Sequence, residues 1–153
     1  MSFLSLLMSK AYTYAVKLLA NREHSQYELI SKLTAKNFDN NEIHITIAEL
    51  IRLNLQSDER FVDMIIRARI AQGYGPDRIS NELKYKNIAK ELIYDKLDLE
   101  KENWVDIAQN AWKKKYDVSI EYSSLEIQKQ KKFLYTRGFS TDIINKVFEC
   151  LIL

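Results

Sequence analysis

Two histidines, one cysteine and a scatter of carboxylates are the groups this chain offers for proton transfer, nucleophilic attack or metal binding. His24 and His44 lie far apart and on different predicted elements, so they do not form a ligand pair. His24 precedes Ser25, which caps a predicted helix, and it reads as a turn residue hydrogen-bonded to backbone. His44 adjoins Ile43 on a helix and reads as half exposed. Cys150 is the sole cysteine; an intramolecular disulfide is ruled out, which fits a reducing cytosol. Set in the run Val147, Phe148, Leu151, it reads as a small core residue. Asp58 and Glu59 are adjacent acids, but they stand at a helix start, where stabilising the helix dipole accounts for them. The chain has no Walker-type glycine loop and no Cys/His spacing suited to a metal. The expectation is a protein that is not an enzyme and takes no cofactor and no metal.

The cations are more informative. Net charge is only +2. It divides as +1 over residues 1–56, −1 over 57–100 and +2 over 101–153, so an anionic partner would have to meet a local stripe of charge. Arg67, Arg69 and Arg78 surround a glycine-rich corner, with stems that can pack while their heads reach water. Lys113, Lys114 and Lys115 end a helix anchored by Trp112, where lysine also complements the helix dipole. With Lys129, Lys131 and Lys132 on the next helix they could form a patch that binds phosphates without reading sequence. Of the nine tyrosines, Tyr12, Tyr27 and Tyr85 fall at helical spacing from apolar residues and read as core. Tyr74, between two glycines, reads as a contact surface.

The elements that must position these groups are helical. One proline and three glycines leave little for strands joined by tight turns, and the long Leu/Ile/Lys/Glu runs between few breakers predict an all-α protein. Gly73, Gly75 and Pro76 sit together in Gly73-Tyr74-Gly75-Pro76. Phe61, Met64, Ile65 and Ala68 precede this corner at helical steps; Ile79 and Leu83 follow it, with Pro76 in a first turn. Capping boxes are expected at Ser25/Glu28, Asp39/Glu42 and Ser123/Glu126. The third helix is expected to run through Ile43, Ile47, Leu50 and Ile51 to about Leu55. The apolar N-terminal stretch MSFLSLLMSKAYTYA lacks the basic start of a signal peptide, and no run is long enough to span a bilayer.

A repeat underlies the pattern. Leu33-x-x-Lys36-Asn37-Phe38 matches Leu83-x-x-Lys86-Asn87-Ile88 and Leu134-x-x-Arg137-Gly138-Phe139, at offsets of 50 and 51 residues. Five residues beyond each last apolar position come Ile43, Ile93 and Ile144. With caps at Asp39, Ala89 and Ser140, the pairs Phe38/Ile43, Ile88/Ile93 and Phe139/Ile144 are hydrophobic staples. Asn37, Asn87 and Gly138 suit the left-handed turn that ends the preceding helix. The chain thus reads as three three-helix repeats, residues 1–56, 57–100 and 101–153.

The ordered set Arg22-x-His24-Ser25-x-x-Glu28-Leu29, Asp58-x-Arg60-Phe61, Arg67-x-Arg69, Gly73-x-Gly75-Pro76-x-x-Ile79-x-x-Glu82-Leu83, Trp104, Lys114-Lys115-Tyr116 and Lys129-Gln130-x-x-Phe133-Leu134-x-x-Arg137-Gly138-Phe139 resembles the RecX family of RecA regulators. Asn37 and Asn87 stand where that family often has glycine, and Ser57-Asp58 where it often has two aspartates. The resemblance implies an elongated, curved array of three-helix repeats. It implies a cytoplasmic monomer that binds the RecA nucleoprotein filament and modulates ATP hydrolysis, strand exchange and co-protease activity, with inhibition the expected sign. Direct contact with single- or double-stranded DNA through phosphates, and no membrane, complete that expectation. Two rivals stand beside it. One is a helix-turn-helix DNA reader, although the helices near Ile43 and Ile144 carry few side chains suited to base readout. The other is a helical scaffold for a different protein, anchored by Tyr74 and the arginines.

Overall fold

The computed structural model describes Ser2, Ser5 and residues 9–152, the side chain of Ile152 aside. Met1, Phe3, Leu4, Leu6, Leu7 and Met8 of the apolar N-terminal stretch lie outside the described residues. Among the described residues there are nine helices and no strand. They are α1 (Lys10–Asn21), α2 (Gln26–Ala35), α3 (Asn40–Arg52), α4 (Asp58–Ala71), α5 (Pro76–Tyr85), α6 (Lys90–Asp98), α7 (Trp104–Lys115), α8 (Ser124–Thr136) and α9 (Thr141–Ile152). No helix among them is long and apolar enough to cross a membrane.

Local chemistry explains most of the boundaries. Ser25 Oγ accepts from the Glu28 N–H at 3.0 Å while Glu28 accepts from the Ser25 N–H at 3.4 Å, a reciprocal cap that starts α2. Ser123 and Glu126 repeat it at α8. Asn37, Asn87 and Gly138 have φ of 63°, 56° and 100°, the left-handed turn expected between the second and third helix of each repeat. Two expectations fail. Asp39 is the N-cap of α3 but its side chain makes no cap hydrogen bond, so that box is absent. The third helix stops at Arg52 rather than Leu55, because Asn54 turns left-handed at φ 58° and the Leu55 N–H closes on the Leu50 carbonyl at 2.9 Å.

The described residues divide into two compact units: residues 1–64 with 86–88, and residues 65–85 with 89–153. In the first, Ala11, Tyr12 and Ala15 of α1, Leu29 and Leu33 of α2, and Ile43, Ile47 and Leu50 of α3 form a closed apolar cluster with Phe38 packed against it. In the second, α7 packs on α8 and α9, and α5 on α6. The staple residues Ile43, Ile88, Ile93, Phe139 and Ile144 are buried, Phe38 partly so. Trp112 is also buried, and its indole N–H donates to Gln130 Oε1 at 2.8 Å. Gln130→Ala would leave that donor orphaned beside a cavity, so a loss of about 2 kcal/mol is expected in a denaturant titration.

Three side chains assigned to the core are elsewhere. Tyr27 and Tyr85 are 38% and 78% exposed, since the buried positions of their helices are Leu29/Leu33 and Ile79/Leu83, and residues two apart point to different faces. Cys150 is exposed, because the buried line of α9 runs through Ile144, Val147 and Phe148 and Cys150 falls beside it.

Candidate interaction surface

All three glycines gather at one joint within the second unit. The corner 73–76 lies against α7 and against the α8–α9 turn, with the Gly75 N–H donating to the Arg137 carbonyl at 2.8 Å and the Asp77 N–H to the Gly138 carbonyl at 3.0 Å. A Cβ on Gly75 would lie 2.5 Å from the Gly138 oxygen, and one on Gly138 would lie 2.5 Å from Arg78 Cβ. Two backbones cross here at a distance only hydrogen side chains allow. Sequence reasoning found the corner but not what it crosses.

The joint collects cations and rings. The Arg78 guanidinium carbon is 3.8 Å from the Tyr74 ring centroid, and that of Arg137 is 4.9 Å from the same ring. Arg137 is also 5.1 Å from the Phe133 centroid, and Lys115 Nζ is 4.3 Å from it. Arg78, Tyr74, Arg137, Phe133 and Lys115 therefore alternate as charge and ring. Arg137 additionally donates to the Gln72 carbonyl at 3.1 Å. Such contacts contribute about 0.5–1 kcal/mol each at exposed sites and fix where the charge sits. Tyr74 is half-buried under two guanidiniums rather than an open contact ring.

Two clefts flank Gly73. One, of about 370 Å³, is lined by Ala71, Ile107, Asn110, Lys113 and Lys114 among others; the second, of about 270 Å³, by Lys114, Lys115, Phe133 and Arg137 among others. Both touch Gly73, Ala111 and Lys114. A larger cleft of about 980 Å³ opens on the Arg78 side and is of mixed charge, lined by Asp77, Asp95, Asp98, Arg78, Lys84 and Lys101 among others. In its wall Lys84 Nζ donates to the Tyr94 hydroxyl at 2.8 Å, and that bond lowers the Tyr94 pKa.

The other sequence candidates are placed differently. Arg69 holds both Glu82 oxygens, at 2.7 and 2.6 Å, tying α4 to α5 inside the unit. Arg67 is exposed on α4. Lys131 Nζ lies 5.5 Å from the Phe148 centroid on α9, and Lys132 is exposed; neither lines the clefts beside Gly73. Arg137 stands in the repeat and in the RecX-like motif with no contact role expected of it, and it is the residue that links the two rings.

In the first unit, His24 is buried and its Nδ1 donates to the Arg22 carbonyl at 3.0 Å, a turn residue as expected. Burial lowers its pKa. Glu28 accepts from Arg22 at 2.9 and 3.3 Å and lies 3.4 Å from Lys86 Nζ. Burial alone would raise the Glu28 carboxyl, but the Arg22 hydrogen bonds and charge, the Ser25 N–H and the Lys86 charge outweigh it and hold the pKa at about 2. Asp58 Oδ1 accepts from the Gln26 N–H and from Gln56 Nε2, both at 2.9 Å, so that carboxylate joins the start of α2 to the start of α4. Among the described residues, no group of three His, Cys, Asp or Glu could hold a metal.

The fold and surface define a class: tandem three-helix repeats that carry an exposed cationic strip. Three family models, described as the first, second and third three-helix domains of RecX, match residues 11–50, 57–97 and 102–148. The regulatory protein RecX of Legionella pneumophila (strain Corby) is 49% identical over 142 residues, covering 93% of this chain and 95% of the relative. That of Mannheimia succiniciproducens is 37% identical over 131 residues, covering 84% and 86%. The crystal structure of RecX from Lactobacillus salivarius matches with a TM-score of 0.82 at 26% identity, over 93% of this chain and 94% of that one. The chain belongs to the RecX family.

Proposed function

We propose that this protein binds the RecA–DNA filament in the cytoplasm and inhibits RecA, lowering ATP turnover and with it strand exchange and co-protease activity. The observation that carries the reading is that all three family domains are present in order along one chain. The mechanism is steric and electrostatic, and the protein performs no catalysis of its own. Helical repeats laid against neighbouring protomers would hinder the conformational cycling that ATP turnover requires. Arg67, Arg78, Lys113, Lys114, Lys115, Lys131 and Lys132 are the proposed contacts; Arg69 and Tyr74 act by holding the corner that presents them. Adding the purified protein to RecA on single-stranded DNA should lower steady-state ATP hydrolysis several-fold. An unchanged rate at saturating protein would reject the proposal. A shift of duplex DNA that depends on its sequence, without any effect on RecA, would favour the helix-turn-helix reading.

A further inference from the structure

Apolar side chains left in water are ordinary when scattered and informative when gathered. Among the described residues, four large aliphatic side chains are more than half exposed: Leu99, Val118, Ile120 and Leu125. The last three fall together, in the connection from α7 to α8 and the first turn of α8, at 60%, 54% and 77%. That connection is held in place by its own side chains. Tyr116 and Tyr122 meet edge-on at 6.2 Å, Tyr122 packs on the Trp112 ring at 6.4 Å, and Tyr116 on the Phe133 ring at 5.8 Å. The Asp117 N–H donates to the Tyr122 hydroxyl oxygen at 3.0 Å, and the Ser119 N–H and hydroxyl donate to Asp117 Oδ1 at 2.8 and 2.7 Å. The Ser123–Glu126 capping box fixes the far end. The rings thus turn inward while the aliphatic groups stay in water, fixed in place.

We propose that Val118, Ile120 and Leu125 form a protein-docking tip whose partner presents an apolar depression edged by lysine or arginine. On the filament reading above, on which this step rests, that partner is a RecA protomer rather than the DNA. Charge selects the partner. Residues 117–126 carry Asp117, Glu121 and Glu126 and no lysine or arginine. Hydrogen bonds from Ser119 hold the Asp117 carboxyl below its ordinary pKa, and those from Ser123 do the same for Glu126, so both are ionised at neutral pH. A tip of this sign is repelled by phosphates and by an anionic lipid surface, and attracted by a cationic rim. Burial of the three aliphatic groups supplies affinity, and because the connection is already ordered, little conformational freedom is lost on docking. The carboxylates set orientation and association rate more than affinity. Lys113, Lys114 and Lys115, just before the tip, are repelled by the same rim, so only one orientation brings unlike charges together.

The test uses the full chain and RecA on single-stranded DNA, and reads the concentration that halves ATP hydrolysis. Val118→Ser/Ile120→Ser/Leu125→Ser should raise that concentration about tenfold or more. It should melt within about 2 °C of wild type, because the altered groups already face water. Glu121→Lys, at a position outside the hydrogen bonds named above, should raise it several-fold at low salt and less at high salt. Leu99→Ser, as exposed but elsewhere in the unit, is the control and should match wild type. Oligonucleotide binding without RecA, measured alongside, should not fall in either tip variant. Wild-type potency in the triple variant, an equal loss in Leu99→Ser, or a loss matched by weaker oligonucleotide binding would overturn the inference. Sedimentation showing a wild-type dimer that the triple variant abolishes would also overturn it, since the tip would then cover a second copy. If the triple variant melts early, Glu121→Lys decides alone, and wild-type potency there at low salt overturns the inference. A wild type that leaves RecA ATPase unchanged removes the filament reading and the docking tip with it, whereas inhibition undiminished in the tip variants removes the docking tip alone.

Discussion

Gly138→Ala is expected to destabilise the second unit by about 3–4 kcal/mol. The backbone at Gly138 has φ +100°, which an L-residue adopts only at a cost of about 1–2 kcal/mol. The added methyl would also meet Arg78 Cβ at 2.5 Å and the Arg78 nitrogen at 2.7 Å. Relief by separation would break the bonds from the Gly75 and Asp77 N–H groups to the Arg137 and Gly138 carbonyls. Gly75→Ala lacks the φ penalty but drives its methyl to 2.5 Å from the Gly138 oxygen and 2.7 Å from Phe139 Cδ1. Overpacking against backbone costs about 1–3 kcal/mol. Gly73→Ala is the internal comparison. Its φ is also positive, at +81°, but its methyl would meet Ala111 Cβ at an ordinary 3.4 Å, so a cost of about 1 kcal/mol is expected. Thermal melts should rank Gly138→Ala as the most harmful and Gly73→Ala as the mildest, with a fall of roughly 10 °C for the first. A Gly138→Ala protein melting within a degree or two of wild type would show that the crossing is looser than described.

Acid should weaken the first unit through Glu28. Its pKa is about 2 in the folded chain against an ordinary 4.5, so the folded carboxyl binds protons less readily than the unfolded one. That stabilisation is complete above the unfolded value and disappears as pH falls from about 5 towards 2. Taken at face value the shift corresponds to about 3 kcal/mol. Arg22 is 41% exposed, and screening there reduces the expected contribution to about 2 kcal/mol. Glu28→Gln removes the titrating group while keeping a hydrogen-bonding side chain at the third position of α2. Denaturant stability of wild type and variant should differ most near pH 6 and converge near pH 2. Two curves that stay parallel through that window would mean that the Arg22 and Lys86 contacts contribute little.

Much of the fold was legible because its signals are local. Ser25 with Glu28, and Ser123 with Glu126, satisfy helix N-termini within four residues of chain, and Asn37, Asn87 and Gly138 end helices through their own backbone freedom. Spacing of this kind needs no tertiary partner. The errors arose where a partner was needed. Tyr27 and Tyr85 have apolar neighbours in sequence, yet exposure depends on which side of a helix meets another helix. Asp39 has the right residue type and spacing for a capping box, and its side chain is not turned to make one.

The same division holds for the candidate surface. Residue order by itself determined the helices and the threefold recurrence of the left-handed turn at Asn37, Asn87 and Gly138, because each is written in spacings of a few residues. Tertiary structure alone decided that Arg69 belongs to Glu82 while Arg137 lies between Tyr74 and Phe133, and that Gly75 and Gly138 cross. The reason is physical: whether a cation is neutralised depends on the group that faces it across space, and for Arg137 that environment is assembled from segments more than sixty residues apart.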